Sequence, residues 1–391
     1  MDRRWWQVGT LLPLLMVAAF AGELASRFLP LDVVAFRVWE PALQTALGAP
    51  GPFEPGKAVT KRRAYGDLAA LGNERRLRQY HDESFHVDRL GFRNGYDVDH
   101  AVYAGIVTGD SFAVGHAEPE PATLSGQLTL LAGARFYNAG FSLPPGPPPP
   151  DGLASLAATL RIHPGVVVYE LLERAARTSP PARLDLPLVP YPPGFPPERS
   201  LRLRLAGIAR RFHPTAESPL QIASVRLVKW LEDDTLRPNP YAGAVVRRTL
   251  TNGDEMLFLP WDLAPLGAGD LQPLATEWSG YLAWYAGKLQ AQGLPVVVLL
   301  VPDKYTVYGP LTPNDSPEPE GGRLLDGIED RLRSAGVPVV NVTALFRARA
   351  AAGLARYEYL YWRDDTHWNA RGIALAADAV WREVRPALQG K

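Results

Sequence analysis

Apolar positions along this chain fall into two alternating rhythms. From residue 101 onward, short unbroken apolar runs alternate with longer stretches whose apolar positions recur at helical spacing. AVYAGIVTGDS (101–111) reads as a buried strand ending in a turn, ATLSGQLTLLAG (122–133) as a helix, and ARFYNAG (134–140) as a short strand. GLASLAATLRI (152–162) is helical in period, and GVVVYELLE (165–173) is a strong buried strand. Farther on, LPVVVLLVP (294–302) and VPVVNV (337–342) read as strands, and GRLLDGIEDRLRSAG (322–336) as a helix. RGIALAADAVWREV (371–384) is a closing amphipathic helix. Short apolar strands separated by helices predict an α/β fold, a parallel sheet covered on both faces.

The rhythm breaks in three places. Residues 31–100 hold a short helical pattern at VVAFRVWEPALQTAL, then loops, and close on the turn-rich DRLGFRNGYDV. PPGPPPP (144–150) is a stiff polyproline segment, read as a rigid spacer between a strand and its helix. The longest break runs from about 175 to 293. It contains a basic helical pattern, RSLRLRLAGIARRF (199–212), and VVRRTLTNGDEMLFL (245–259), where Asn252-Gly253 between strand-like runs signals a hairpin. We read it as an insertion in one α/β core. The basic helix reads as a solvated face, with a surface for acidic glycans or anionic lipid headgroups as the alternative.

The N-terminus has its own pattern. Basic MDRRWW precedes an uncharged apolar run from Val8 to Gly22, and Glu23 ends it. This is the layout of a secretory n-region and h-region. The run is near the short limit for a spanning helix, which needs about 20 residues. Trp5 and Trp6 extend it as interfacial anchors, and Arg3 and Arg4 keep that end cytoplasmic. Ala19-Phe20-Ala21 offers a cleavage site. A cleaved signal peptide and an uncleaved anchor both fit. The anchor is the expectation carried forward: residues 1–30 hold the chain to the inner membrane, and the rest lies in the periplasm or beyond. On this reading, residues 31–100 are an extension packed on the core and residues 101–391 form the catalytic domain.

Composition narrows the chemistry. The chain has 391 residues, 47% hydrophobic, so a sizeable core is expected. Lys+Arg and Asp+Glu both number 41, which leaves no net field to draw nucleic acid, and no basic run is interleaved with aromatics. No cysteine is present, so disulfides, thiolate zinc sites and cysteine nucleophiles drop out. No further histidines or acids cluster near His367 to complete a zinc site, and no cofactor is implied.

Two segments remain as chemistry. GDSFAVG (109–115) follows the first buried strand, and ligands of an open parallel sheet bind beyond the carboxyl ends of its strands. Ser111 stands there. Serine needs a base, and the base an orienting carboxylate. YWRDDTHWNARG (361–372) supplies both: in an extended or turn conformation Asp365 and His367, two apart, project to one side. The carboxylate then reaches Nδ1 and leaves Nε2 for Ser111. Asp364 should point the other way and matter little. Asp110 reads as a turn former. Trp362 and Trp368 flank the base, as platforms for a sugar ring or as core packing.

GDSF, then NAG after the second strand, then DTHW near the C-terminus together resemble the SGNH/GDSL hydrolase superfamily. DTHW, the VPDKYTVYGP segment, YELLERAA and the lead-in HVDRLGFRNGY are similar to the branch of alginate O-acetyltransferases and related polysaccharide acetylation proteins. The resemblance covers most of residues 85–385. It departs from that branch in order, since the serine block here precedes DTHW. It departs from the hydrolases in lacking a G-x-N-D block after GVVVYELL, where Glu173-Arg174 stands instead.

The resemblance implies a flavodoxin-like SGNH fold and a Ser111, His367, Asp365 triad. It implies oxyanion donors at the amides of Ser111 and Gly140, with the Asn138 side chain a weaker candidate. Arg174 is then a candidate substrate ligand, or else a structural ion pair with Glu170 or Glu173. Lys304 either touches substrate or is structural, the latter favoured. The implied activity is acetyl transfer through Ser111 to a polysaccharide hydroxyl, the donor side supplied by a membrane O-acyltransferase partner. The alternatives are an acetylesterase with the same triad and a non-catalytic glycan-binding component of an export complex.

Overall fold

A computed structural model describes residues 3–26, 42, 50–72, 74–141, 148–183, 220, 245–264, 271–313 and 321–389. The first element, α1 (Arg3–Ser26), coincides with the expected anchor. It does not support one: no helix among the described residues is long and apolar enough to cross a membrane. The physical reason is length. The apolar run between Gln7 and Glu23 rises about 22 Å at ~1.5 Å per residue, short of a hydrocarbon core of ~30 Å. The inner-membrane anchor, and the localisation built on it, are therefore withdrawn.

Next comes a small two-stranded antiparallel sheet, β1 (Ala58–Ala64) with β2 (His81–His86), with the short α2 (Asp67–Leu71) between its strands. The sequence pattern resolved only loops here, because β1 carries Lys61, Arg62 and Arg63 in succession and shows no apolar alternation.

The core then follows in chain order. It comprises β3 (Tyr103–Thr108), α3 (Ser111–Val114), α4 (Leu124–Ala132), β4 (Arg135–Asn138), α5 (Pro150–Leu160), β5 (Val166–Leu172) and α6 (Glu173–Ala176). After these come β6 (Val246–Thr249), β7 (Glu255–Phe258), α7 (Leu271–Ala291), β8 (Val296–Val301), α8 (Lys304–Tyr308), α9 (Gly321–Ser334), β9 (Val339–Asn341), α10 (Thr343–Gly353) and α11 (Ala370–Gln389). Five strands form one sheet in the order β4-β3-β5-β8-β9, every neighbouring pair parallel. Numbered within the sheet, that is the doubly wound order 2-1-3-4-5.

Both faces are covered, as the unbroken apolar strands required. Val167, Tyr169 and Leu171 of β5 join Val296, Val298 and Leu300 of β8 under α5, α7 and α9. The alternate residues, Val166, Val168 and Leu172 with Val297, Leu299 and Val301, pack under α4, α10 and α11. The hairpin signal is realised as antiparallel β6 and β7 around Asn252-Gly253, where Gly253 takes φ 83°. Pro150 opens α5, where its missing N–H costs nothing. The helix α7 falls inside the stretch read as an insertion, yet its Trp278, Tyr281, Leu282, Tyr285 and Leu289 line one face of the sheet. The basic pattern at 199–212, and that at 33–47 except Ala42, lie outside the described residues.

Candidate active site

The chain leaves β3, turns away to β4 on one side and returns to β5 on the other. That reversal opens a crevice at the carboxyl ends of β3 and β5. Gly109 sits in it without a side chain because a Cβ there would collide with the Glu170 carboxylate of β5. The Asp110 N–H donates to Glu170 Oε2 at 3.1 Å, and Asp110 Oδ1 accepts the Phe112 N–H at 2.8 Å. Asp110 is thus the N-cap of α3, the turn-forming role read from sequence. Ser111 is the first helical residue, and its N–H has no acceptor among the described residues. Burial pushes the Glu170 carboxyl well above its ordinary range, and the nearby Asp110 adds to the shift.

The second half of the crevice is the loop between Tyr361 and α11. It doubles back on itself: Tyr361 and Trp368 form an isolated antiparallel bridge, and the Trp362 N–H donates to the His367 carbonyl at 3.2 Å. This places His367 against Ser111. His367 Nε2 lies 2.8 Å from Ser111 Oγ, and His367 Nδ1 lies 2.6 Å from Asp365 Oδ1. Asp365 Oδ1 also accepts the His367 N–H at 2.9 Å. Burial opposes charge on Asp365, yet the adjoining His367 and its hydrogen bonds hold the carboxyl well below the usual range. The 256 residues separating Ser111 from His367 are closed by the sheet.

Residues 254–391 match the family model described as SGNH hydrolase-like domain, acetyltransferase AlgX.

This is the branch that the D-T-H-W resemblance pointed to, and it supports an acetyl-transfer or hydrolase-like activity. The matched span carries Lys304, Asp365, His367 and Trp368. Ser111 lies outside it and is brought to His367 by the fold. No curated protein matches the chain.

The remaining expected site residues fare differently. Gly140 and Asn138 are spent on each other: the Gly140 N–H donates to Asn138 Oδ1 at 3.0 Å, and Asn138 Nδ2 donates to the Val114 carbonyl at 3.2 Å. In this structure they brace α3, and of the three groups only the Ser111 N–H has no partner among the described residues. Lys304 is buried, and its Nζ donates to the carbonyls of Arg363 at 3.0 Å and Asp365 at 2.9 Å. Burial pushes its ammonium down to about 7. Lys304 is therefore the tether of the histidine loop. Trp368 is 0% exposed, packed 5.4 Å from Phe112 and 6.5 Å from Phe346 between ring centroids. The sugar-platform role is overturned for Trp368 because no face of its ring is free. Trp362 is partly buried, stacked on His81 at 4.8 Å with Nε1 donating to Glu118. Arg174 pairs neither with Glu170 nor with Glu173. It meets Asp303 at 3.2 Å and Asp262 at 3.9 Å, stays 24% exposed, and is within electrostatic reach of Asp110 and Asp67.

Asp364 does point away from His367, but it is fully buried. Its Oδ2 accepts the amides of Gly66 at 2.9 Å and Gln79 at 2.7 Å, and its carbonyl accepts the Ala69 N–H. The expectation that it matters little is corrected: it staples the β1–β2 segment onto the histidine loop. That segment brings residues no motif announced. The Asp67 N–H donates to Asp365 Oδ2 at 2.8 Å. Glu83 stands 3.6 Å from His116, whose ring meets the His367 ring edge-on at 4.8 Å. With His81 they line a small polar cavity behind Asp365. Nothing in local spacing ties residues 67 and 83 to position 365, so only the folded chain reveals them.

Ligand atoms of Asp67, Asp365 and His367 fall within 4.8 Å of one another, the closest approach to a metal cluster among the described residues. Each of these side chains is already committed to hydrogen bonds: Asp67 to Thr366, Asp365 to His367, and His367 to Asp365 and Ser111.

Proposed function

We propose that this chain is a serine O-acetyltransferase that moves an acetyl group through Ser111 to a hydroxyl of a polysaccharide. The observation that carries the reading is the continuous contact from Ser111 Oγ to His367 Nε2 (2.8 Å) and from His367 Nδ1 to Asp365 (2.6 Å). Its setting, a chain whose C-terminal part matches an acetyltransferase domain, favours transfer over simple hydrolysis.

The geometry supports this sequence of steps. His367 takes the Ser111 proton as Oγ bonds to the acyl carbon, and the developing oxyanion faces the Ser111 N–H at the start of α3. The imidazolium is stabilised by Asp365. His367 returns the proton to the leaving group, leaving acetyl on Oγ. A sugar hydroxyl then gives its proton to His367 and bonds to the acetyl carbon, and Ser111 recovers its proton. Arg174, the partly exposed cation at the same sheet edge, is the proposed contact for the acceptor. The acetyl donor is proposed to come from a membrane O-acyltransferase.

The test is a chromogenic acetyl ester with and without candidate oligosaccharides, products read by mass. Faster ester loss with a sugar, together with an acetylated sugar, supports transfer. Hydrolysis that no sugar alters makes the protein an esterase. No turnover, with Ser111→Ala equal to the parent, refutes both.

A further inference from the structure

Acyl transfer assigns no part to one buried acid. Asp67 begins α2, far from the triad in sequence, and is buried against it. Its Oδ1 accepts the Thr366 N–H and its Oδ2 the Thr366 hydroxyl, both at 2.8 Å. Thr366 Oγ1 also stands 3.2 Å from His367 Nδ1.

A hydroxyl carries one proton. With that proton committed to Asp67, Thr366 turns only lone pairs toward His367. Nδ1 then faces two acceptors, Asp365 Oδ1 at 2.6 Å and Thr366 Oγ1 at 3.2 Å, and no donor among the described residues. A neutral imidazole so placed keeps its proton on Nδ1 and its lone pair on Nε2, which faces Ser111 Oγ at 2.8 Å. The Asp67 amide braces the other oxygen of Asp365 at the same time.

We infer that Asp67 is a second positioning carboxylate, acting through Thr366 to hold His367 in the tautomer that accepts the Ser111 proton. The inference rests on the acyl-transfer reading for its kinetic consequence alone; the tautomer is a property of the resting protein. Without the Asp67 acceptor, the Thr366 hydroxyl is free to turn its proton toward Nδ1 and compete with the productive arrangement.

The test uses the full chain as parent, Asp67→Asn, Thr366→Val, Thr366→Ser and the Asp67→Asn/Thr366→Val double variant, each checked for folding by circular dichroism. Two readouts are taken: kcat and KM on a chromogenic acetyl ester, and the far-downfield proton resonance of His367 Nδ1–H. Asp67→Asn and Thr366→Val should each lower kcat by about ten- to a hundredfold and displace the resonance, with KM held within about twofold. The double variant should be no worse than the worse single, because one relay is being cut twice. Thr366→Ser should recover most of what Thr366→Val loses. Single effects that multiply in the double variant overturn the proposal. A Thr366→Val protein with parental kcat and resonance overturns it too, and decides alone if Asp67→Asn does not fold. Should the parent turn over no acetyl ester, the acyl-transfer reading fails, and the resonance in the same variants still decides the role of Asp67.

Discussion

Changing each of two adjacent aspartates to asparagine should give opposite results, and the structure sets the size of the difference. Asp365 accepts three hydrogen bonds on two oxygens: His367 Nδ1–H at 2.6 Å, the His367 N–H at 2.9 Å and the Asp67 N–H at 2.8 Å. Asparagine has one acceptor oxygen, so an NH2 group must confront either Asp67 N–H or His367 Nδ1. Facing the ring, it drives the proton to Nε2, where it blocks attack on the Ser111 proton. Losing a carboxylate partner of this kind costs on the order of 10³–10⁴ in kcat, about 4–5.5 kcal/mol of barrier. Among the described residues Asp364 uses only Oδ2, for the amides of Gly66 and Gln79, and its Oδ1 has no partner. Burial already pushes its carboxyl up, so an uncharged asparagine that keeps one oxygen for both amides should leave kcat within about threefold. Initial rates on an acetyl ester, with thermal melts of each variant, make the comparison. An Asp365→Asn protein within about tenfold of the parent, or an Asp364→Asn protein as damaged as Asp365→Asn at equal melting temperature, would refute the argument.

Asp364→Ala removes both staples at once and should cost about 2–4 kcal/mol in a urea melt; a loss under about 0.5 kcal/mol would show that the β1–β2 segment is held by other contacts. Lys304→Met tests the buried tether through pH. Folding pushes the Lys304 ammonium down to about 7, so between there and 10.5 the unfolded chain holds a proton that the folded chain has released. Parental stability should therefore rise through that window and lack this contribution to the slope below it, and Lys304→Met should lose a rise on the order of 2–4 kcal/mol. Parallel stability curves for the two proteins from pH 6.5 to 9.5 would contradict the assignment. Trp368→Ala should destabilise by about 3–5 kcal/mol through the cavity it leaves, and Trp368→Phe by less, with the acceptor KM unmoved in the latter. A raised KM without a change in melting would restore the sugar-platform role.

Much of the core was legible because its signals are local. The β5 and β8 runs are apolar at every position, which only a strand buried on both faces requires, and the alternation with helices left few topologies. Ser111, Asp365 and His367 were legible because a strand-end turn and an i, i+2 spacing are properties of a few consecutive residues. The helix α7 was missed because Trp278, Tyr281, Trp284 and Tyr285 bring bulky, half-polar side chains to a face that a simple apolar period does not mark. The anchor was overread: an apolar run with basic flanks is a pattern, whereas spanning a bilayer is a matter of length.

The sequence by itself determined the parallel sheet and singled out Ser111, Asp365 and His367, which the fold brings into contact, because periodicity and short spacing are written along the chain. Tertiary structure alone decided which neighbours those residues have. It placed Asp67 and Asp364 in one hydrogen-bonded unit with the histidine loop, turned Lys304 and Trp368 inward, and joined Gly140 to Asn138. Such pairings span up to 299 residues, and a hydrogen bond depends on position in space, to which separation along the chain gives no guide.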